Sequence, residues 1–388
     1  MKFRDDVFET FAEKLVFRRP GRESIFSTAA GIDSIDFHRK EPFLISASTQ
    51  GHGPGSASGQ LRLYDYEKGV HERTCFSNKF GASSVRFTHH PLSILYASTV
   101  CESTSELENH AIRYHSLHDN AYLKYFKGHK DTVVDLEMSA VSDTFLSSSM
   151  DKTVKKWDLR QAECVGEISV RDTGTLRPRV ACDSEDLIIA VGLDGGYVML
   201  YDVRKLGEAG LKAFVTIGGE YTKLNRPTIS CLKLSKRRGT KYVALAIEGK
   251  VHVHDIERDD LKDGISLPFE EALLHTFHTR PVFSDKTLPL EKQRAEFDFS
   301  ACDRYLISGC GSDMGLRAWN LETGARVADL TSKPRFNDRG EREPRLALSG
   351  FHRCVKFSPT HALLATGSTD VALWVPEQPK DYSEHSKD

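Results

Sequence analysis

Short runs of apolar residues, usually alternating with polar ones and broken by Gly, Ser, Asp or Asn, recur along most of the chain. The stretch from 128 to 158 shows the plan. Val133-Val134-Asp135-Leu136-Glu137-Met138 leads through a polar turn at Ser142-Asp143 into Thr144-Phe145-Leu146-Ser147-Ser148. Thr153-Val154-Lys155-Lys156-Trp157-Asp158 follows. Runs of this length bounded by such turns predict antiparallel strands. Looser copies lie on both sides: Ser34-Ile35-Asp36-Phe37 with 43–48 and 61–65; 84–87 with 94–98, 111–116 and 122–126; 187–191 with 198–202; 229–234 with 242–247 and 251–255; 297–299 with 305–309 and 316–320; and 354–357 with 363–367 and 372–374. Each unit offers three strands and a looser fourth.

Repetition at a fixed period decides the reading. The central copy opens on Gly128-His129 and closes on Trp157-Asp158, with Asp151 just before its third strand. These markers at this spacing resemble a WD repeat, and Trp319-Asn320 and Trp374 mark weaker relatives of it. The expected fold class is all-β: a seven-bladed WD-repeat β-propeller. Stacked blades bury both faces of each sheet, so continuous runs such as 187–191 are tolerated. The seventh unit lacks an outer strand of its own. The run Lys14-Leu15-Val16-Phe17-Arg18 is expected to supply it and hide the open edge. Residues 1–376 then form one propeller and 377–388 a polar tail.

Composition narrows the function classes. Length alone favours two or three domains at about 150 residues each, and the repeats replace that expectation with one ring. The 53 Lys and Arg against 55 Asp and Glu give a net charge of -2, which argues against a chain that grips DNA or an anionic membrane directly. No apolar run approaches the roughly 18–20 residues of a membrane span, and the charged start Lys2-Phe3-Arg4-Asp5-Asp6 is unlike a signal peptide. Eight scattered cysteines form no C-x-x-C pair or disulfide framework. An intracellular protein is expected.

Candidate chemistry is sparse. His129, Ser147, Asp151 and Trp157 match the hydrogen-bonded structural tetrad of WD repeats; a catalytic triad from the same residues is the weaker reading. His252 and His254 share a strand face but lack a third metal ligand, so no metal or cofactor is expected. The glycine-rich run 51–59 lacks the Gly-Lys-Ser/Thr ending of a phosphate loop. The basic cluster Lys236-Arg237-Arg238 reads first as a solvated turn, with a nucleic-acid contact or a nuclear-import signal as the weaker readings. Inner-strand positions read mostly as Val, Ile, Leu and small residues, which leaves the central channel without the converging polar groups that an enzyme needs. Surplus length lies in connections at 50–60, 100–110, 218–227, 277–294 and 331–351, all expected on one rim, with 256–268 on the opposite face. Long loops on one face of a rigid scaffold point either to a binding surface or to tolerated surface insertions.

The stretch from Ala111-Ile112-Arg113-Tyr114-His115 through Lys127-Gly128-His129, with Trp157-Asp158-Leu159-Arg160 and the terminal Ala372-Leu373-Trp374-Val375-Pro376, resembles one particular family. It is the WD-repeat subunit shared by the COMPASS histone H3 lysine-4 methyltransferase and the cleavage/polyadenylation and phosphatase termination machinery. The resemblance is strongest over 81–204 and 351–376 and diluted by inserts over 205–350. It implies a nuclear, non-catalytic scaffold. Its implied partners are the methyltransferase catalytic subunit, other COMPASS subunits, 3′-end-processing or phosphatase subunits, and the phosphorylated tail of RNA polymerase II. Candidate partner contacts are His52, Arg113, His115, His118, Asp119 and Arg160. Trp157-Asp158-Leu159-Arg160, echoed by Tyr201-Asp202-Val203-Arg204, also resembles the W-D-x-R pattern of cullin-ligase substrate receptors, which is the alternative reading.

Overall fold

The computed structural model describes residues 7, 10–17, 31–50, 58–77, 80–99, 110–206, 213, 215–218, 227–237, 239, 241–256, 265–279, 296–309, 315–331, 354–368 and 370–376. Seven sheets follow one another as blades, each running from an inner strand outward and all but the seventh in chain order. The inner strands of blades one to seven are Ile32–Phe37, Ser83–Phe87, Val133–Met138, Arg179–Cys182, Cys231–Leu234, Phe297–Phe299 and Cys354–Phe357.

Seven apolar clusters hold the ring, one wedged between each pair of neighbouring blades. Leu95, Leu136, Phe145 and Trp157 fill the seam between blades two and three, and Leu200, Val215, Leu232 and Val243 fill that between four and five. Each blade thus depends on both neighbours, as stacked repeats do. The seam between blades seven and one contains Val371 and Leu373 against Ile35, Phe37 and Leu44, so the ring is closed. The expected closing strand is present: Phe11–Phe17 pairs antiparallel with Val371–Pro376, from Phe11 opposite Pro376 to Phe17 opposite Val371.

Each inner strand ends at a residue whose successor caps the following turn. These successors are His38, Thr88, Ser139, Asp183, Ser235, Ser300 and Ser358, all buried. Ser139 Oγ accepts the N–H groups of Val141 and Ser142, Asp183 Oδ1 those of Leu187 and Ile188, and Ser235 Oγ those of Lys241 and Tyr242. Short polar side chains offer this local acceptor where backbone donors would be left unpaired. The residue seven blades place near the end of the third strand is likewise repeated in kind: Tyr64, His115, Trp157, Tyr201, His254, Trp319 and Trp374 are all buried. In blades one, two, three, five and six the pairing to the fourth strand slips by one residue as it reaches this bulky side chain, a bulge that bends the outer strand around it.

One connection differs from expectation. The insert over 256–268 does not simply project: its end, Ile265–Leu267, adds to blade four as a fifth strand, parallel to Val215–Ile217. A short helix, Phe269–Ala272, then returns the chain to the outer strand of blade five, Leu273–His278. Covering the edge of a three-residue outer strand removes exposed pairing groups. The strands also extend into the segments read as inserts, since Ser58–Asp65 and Leu273–His278 are strands. Residues 51–57, 100–109, 219–226, 280–295 and 332–350, which contain the rest of the long loops and His52, lie outside the described residues.

Candidate functional site

In such a ring the first-to-second and third-to-fourth strand turns share one face, here called the turn face. The opposite, loop face carries the other connections. At the loop face of blade three, Thr144–Ser149 and Thr153–Asp158 are joined through Asp151 and Lys152, the latter in the left-handed region at φ 65°. The four tetrad residues meet there. His129 Nε2 lies 2.7 Å from Ser147 Oγ, His129 Nδ1 lies 2.9 Å from Asp151 Oδ2, and the Trp157 indole N–H donates to Ser147 Oγ at 2.8 Å. An ionised Asp151 only accepts, so Nδ1 carries the ring proton and Nε2 takes the serine O–H. Burial opposes the charge on Asp151, but His129, Thr153 and the Lys130 N–H outweigh it and hold the carboxyl well below the usual range. Ser147 is fully buried, His129 nearly so, and the serine oxygen is held from two sides. With its serine oxygen buried and engaged on both sides, the arrangement fits a structural lock on the blade.

The candidate partner contacts separate into two groups. Arg113 and His115 are interior residues, which corrects their reading as surface contacts. Arg113 is 0% exposed, stacks 3.8 Å above the Phe80 ring and donates to the Ala111 carbonyl. His115 occupies the bulky seat of blade two, stacked on Tyr122 at 4.9 Å, and burial lowers its pKa. His118 and Asp119 are exposed in the third-to-fourth strand turn of blade two. Arg160 occupies the equivalent turn of blade three, 77% exposed, with its guanidinium on Asp143 Oδ2 at 2.9 Å. These three therefore share the turn face, opposite the connections expected to carry the long loops. In the W-D-x-R segment Asp158 accepts the Arg160 backbone N–H; in its echo Asp202 accepts that of Arg204 and its side chain as well. Both aspartates are turn caps.

His252 and His254 also resolve into structure. Both pack against Phe269, at 5.1 and 4.8 Å between ring centroids. Burial, with His252 adding to it, pushes His254 down to about 3, which keeps it neutral in the seat that Trp157 fills in blade three. Of the basic turn, Lys236 is only partly exposed and turns inward: its ammonium lies 2.6 Å from Asp298 Oδ2.

That contact belongs to a feature the sequence reading missed. The penultimate residues of the seven inner strands are Asp36, Arg86, Glu137, Ala181, Lys233, Asp298 and Lys356, and all line one cavity of about 290 Å³ at the turn-face mouth of the central channel. The expectation of an apolar channel is thereby corrected. Around the ring the charges alternate in sign, apart from Ala181. Lys356 pairs with Asp36 at 3.2 Å and Arg86 with Glu137 at 3.3 Å. Asp36 Oδ2 and Asp298 Oδ2 also accept the N–H groups of Phe87 and Phe357, each on the next blade. Burial alone would raise Glu137, but Lys233 and Arg86 outweigh it and hold the carboxyl at about 2. Burial would lower Lys233, and Glu137 reverses that, so Lys233 stays charged. The signal was present as single polar residues flanked by apolar ones, in Ile35-Asp36-Phe37, Val85-Arg86-Phe87, Phe297-Asp298-Phe299 and Val355-Lys356-Phe357. Apolar neighbours pack between blades while the intervening side chain reaches the channel.

Comparison with known proteins now adds identity to geometry. The WD domain, G-beta repeat family matches residues 120–158, which ends on Trp157-Asp158 of blade three. The WD repeat-containing protein 82 of Drosophila melanogaster is 32% identical over 384 residues, 97% of this chain and 98% of its own length. The chain belongs to the WD repeat-containing protein 82 family. Another relative, Protein ANTHESIS POMOTING FACTOR 1 of Arabidopsis thaliana, is 32% identical over 361 residues, 92% of each chain. COMPASS component SWD2 of Saccharomyces cerevisiae is 32% identical over 178 residues, 46% of this chain and 48% of its own. A family likeness that spans nearly the whole length takes in all seven blades.

Proposed function

We propose that this chain is a non-catalytic scaffold subunit of a COMPASS-type histone H3 lysine-4 methyltransferase complex. In this reading it works in the nucleus and binds peptide segments of partner subunits on the faces of a rigid disc. The observation that carries the reading is end-to-end similarity to WD repeat-containing protein 82, joined by the match to COMPASS component SWD2. The physics agrees with it. A closed ring packed at all seven seams keeps its shape when a peptide docks, and the tetrad residues that resemble a triad are buried in blade three. A net charge of -2 suits arrival at chromatin through protein partners rather than through DNA.

The same reading extends the partners to cleavage/polyadenylation and phosphatase subunits and to the phosphorylated tail of RNA polymerase II. It places partner contacts on the exposed His118, Asp119 and Arg160 of the turn face and on the loop connections, His52 among them. The test is affinity purification of the tagged chain followed by mass spectrometry. Recovery of a SET-domain methyltransferase and its associated subunits is expected. Recovery of a cullin and its adaptor in their place overturns the proposal, as does recovery of neither. Deleting 51–57 and 100–109 together is expected to weaken at least one association while leaving the melting transition in place; co-purification of every partner at unchanged yield removes the loop face from the assignment.

A further inference from the structure

Seven is an odd number, so a ring of alternating charge must contain one seat that breaks the alternation. Blade four supplies it with Ala181, between Glu137 on one side and Lys233 on the other. A second departure lies next to the first. Lys233 is flanked on its other side by Asp298, but Lys236, just beyond the end of the same strand, takes Asp298 Oδ2 at 2.6 Å. Lys233 is thereby left without a partner in contact: Glu137 acts on it across the gap at Ala181, but it makes no ion pair or hydrogen bond with any described residue. In the layer above, Asp135 engages Arg86 and Arg179, and the buried Glu296 acts on Lys233 through space without forming an ion pair among the described residues.

The cavity beside Ala181 therefore presents two unmet groups at once. One is the Lys233 ammonium, with three N–H donors. The other is Asp298 Oδ1, an oxygen of a 0% exposed side chain that has no hydrogen-bond partner. Elsewhere on the wall the carboxylates are engaged: Asp36 and Glu137 by their cations, Asp183 by two backbone N–H groups. Counting every charged side chain that lines the cavity, cations exceed carboxylates by one. A volume of about 290 Å³ falls just short of the roughly 300–1,000 Å³ typical of ligand sites. It suits a single side chain or a small acid, not a nucleotide.

We propose that the turn-face mouth of the central channel binds a small carboxylate carrying a hydrogen-bond donor beside it, with Lys233 taking the carboxylate and Asp298 Oδ1 the donor. The ligand group is either a free hydroxy acid or an acidic residue of a polypeptide, whose own backbone N–H is the donor. The site does not rest on the assembly proposed above, because its occupant is identified by charge and hydrogen bonding at the channel alone.

The experiment titrates the full-length protein with lactate and, separately, with an acetylated and amidated peptide containing one central glutamate. The readout is the lysine side-chain NMR signals of the unmodified protein. A saturable shift of the Lys233 signal with either probe is expected; lactate alone points to a free acid, the peptide alone to a polypeptide. Lys233→Met and Ala181→Asp are expected to weaken that binding by about tenfold or more. The first removes the cation, and the second gives it a partner inside the ring. Absence of a saturable Lys233 shift with both probes overturns the proposal, whether or not the variants fold. Unchanged affinity in folded Ala181→Asp overturns it as well.

Discussion

Asp151 Oδ2 lies 2.9 Å from His129 Nδ1, a contact that ties the turn between the second and third strands of blade three to the segment that enters the blade. Four donors converge on this carboxylate: His129, the N–H groups of Lys130 and Thr153, and the Thr153 hydroxyl. Replacing Asp151 with Ala leaves all four without their acceptor. The expected loss is on the order of 3 kcal/mol, seen as a lower midpoint in urea denaturation. A midpoint equal to that of the wild type contradicts the structural role assigned to the tetrad.

Glu137 makes a second prediction, about pH. Its folded-state carboxyl sits at about 2 against an unfolded value near 4.3. A depressed carboxyl contributes stability that is present above the unfolded value and is lost as the pH falls toward the folded one. Glu137→Gln should therefore be less stable than wild type by about 3 kcal/mol near neutrality, and the difference should shrink between about pH 5 and about pH 2. Denaturation midpoints measured across that range check it. A gap that stays constant with pH is the contrary result.

Gly128 offers a steric test. A Cβ added there would stand 2.9 Å from Cη2 of Trp157, and Trp157 is fully buried among Phe126, Phe145 and His129. The indole cannot retreat without breaking its bond to Ser147. Gly128→Ala is expected to cost about 1–3 kcal/mol and to perturb the near-ultraviolet signal of the tryptophans.

Two arginines that look equivalent in the sequence should behave differently. Arg113→Ala removes a buried stem and a cation stacked on Phe80, with an expected loss of about 2 kcal/mol or more. Arg160→Ala breaks one exposed pair and should change stability by less than about 1 kcal/mol. Parallel melts of the two variants decide this, and equal effects would contradict the placement of Arg113 in the interior.

The ring was legible in the sequence because blade three keeps every marker of the repeat and the other blades keep the strand-turn-strand rhythm. The missing outer strand of blade seven pointed directly to residues 14–18. Function was less legible, and for a physical reason. In a two-sided sheet, an alternating polar residue reads as a solvent-facing position, so Asp36, Arg86, Asp298 and Lys356 looked ordinary until the strands carrying them converged on one axis. His115 and His254 misled in the opposite direction. Both stand where a bulky side chain fills the interior, and only the register shared with Trp157 shows it. The strand Ile265–Leu267 was hidden for a third reason: its three residues pair with a neighbouring blade, and no local pattern announces that.

Blade seven draws its outer strand from near one end of this sequence and its other three from near the opposite end. Phe17 and Val371, partners in that sheet, are separated by about 350 residues. During synthesis the first of these strands must wait, unpaired, while six complete blades are made. Closure is therefore a late, long-range event, and the waiting segment is open to capture by another chain in the same state. The joint that completes the seventh blade is thus also the disc's most vulnerable point in biogenesis.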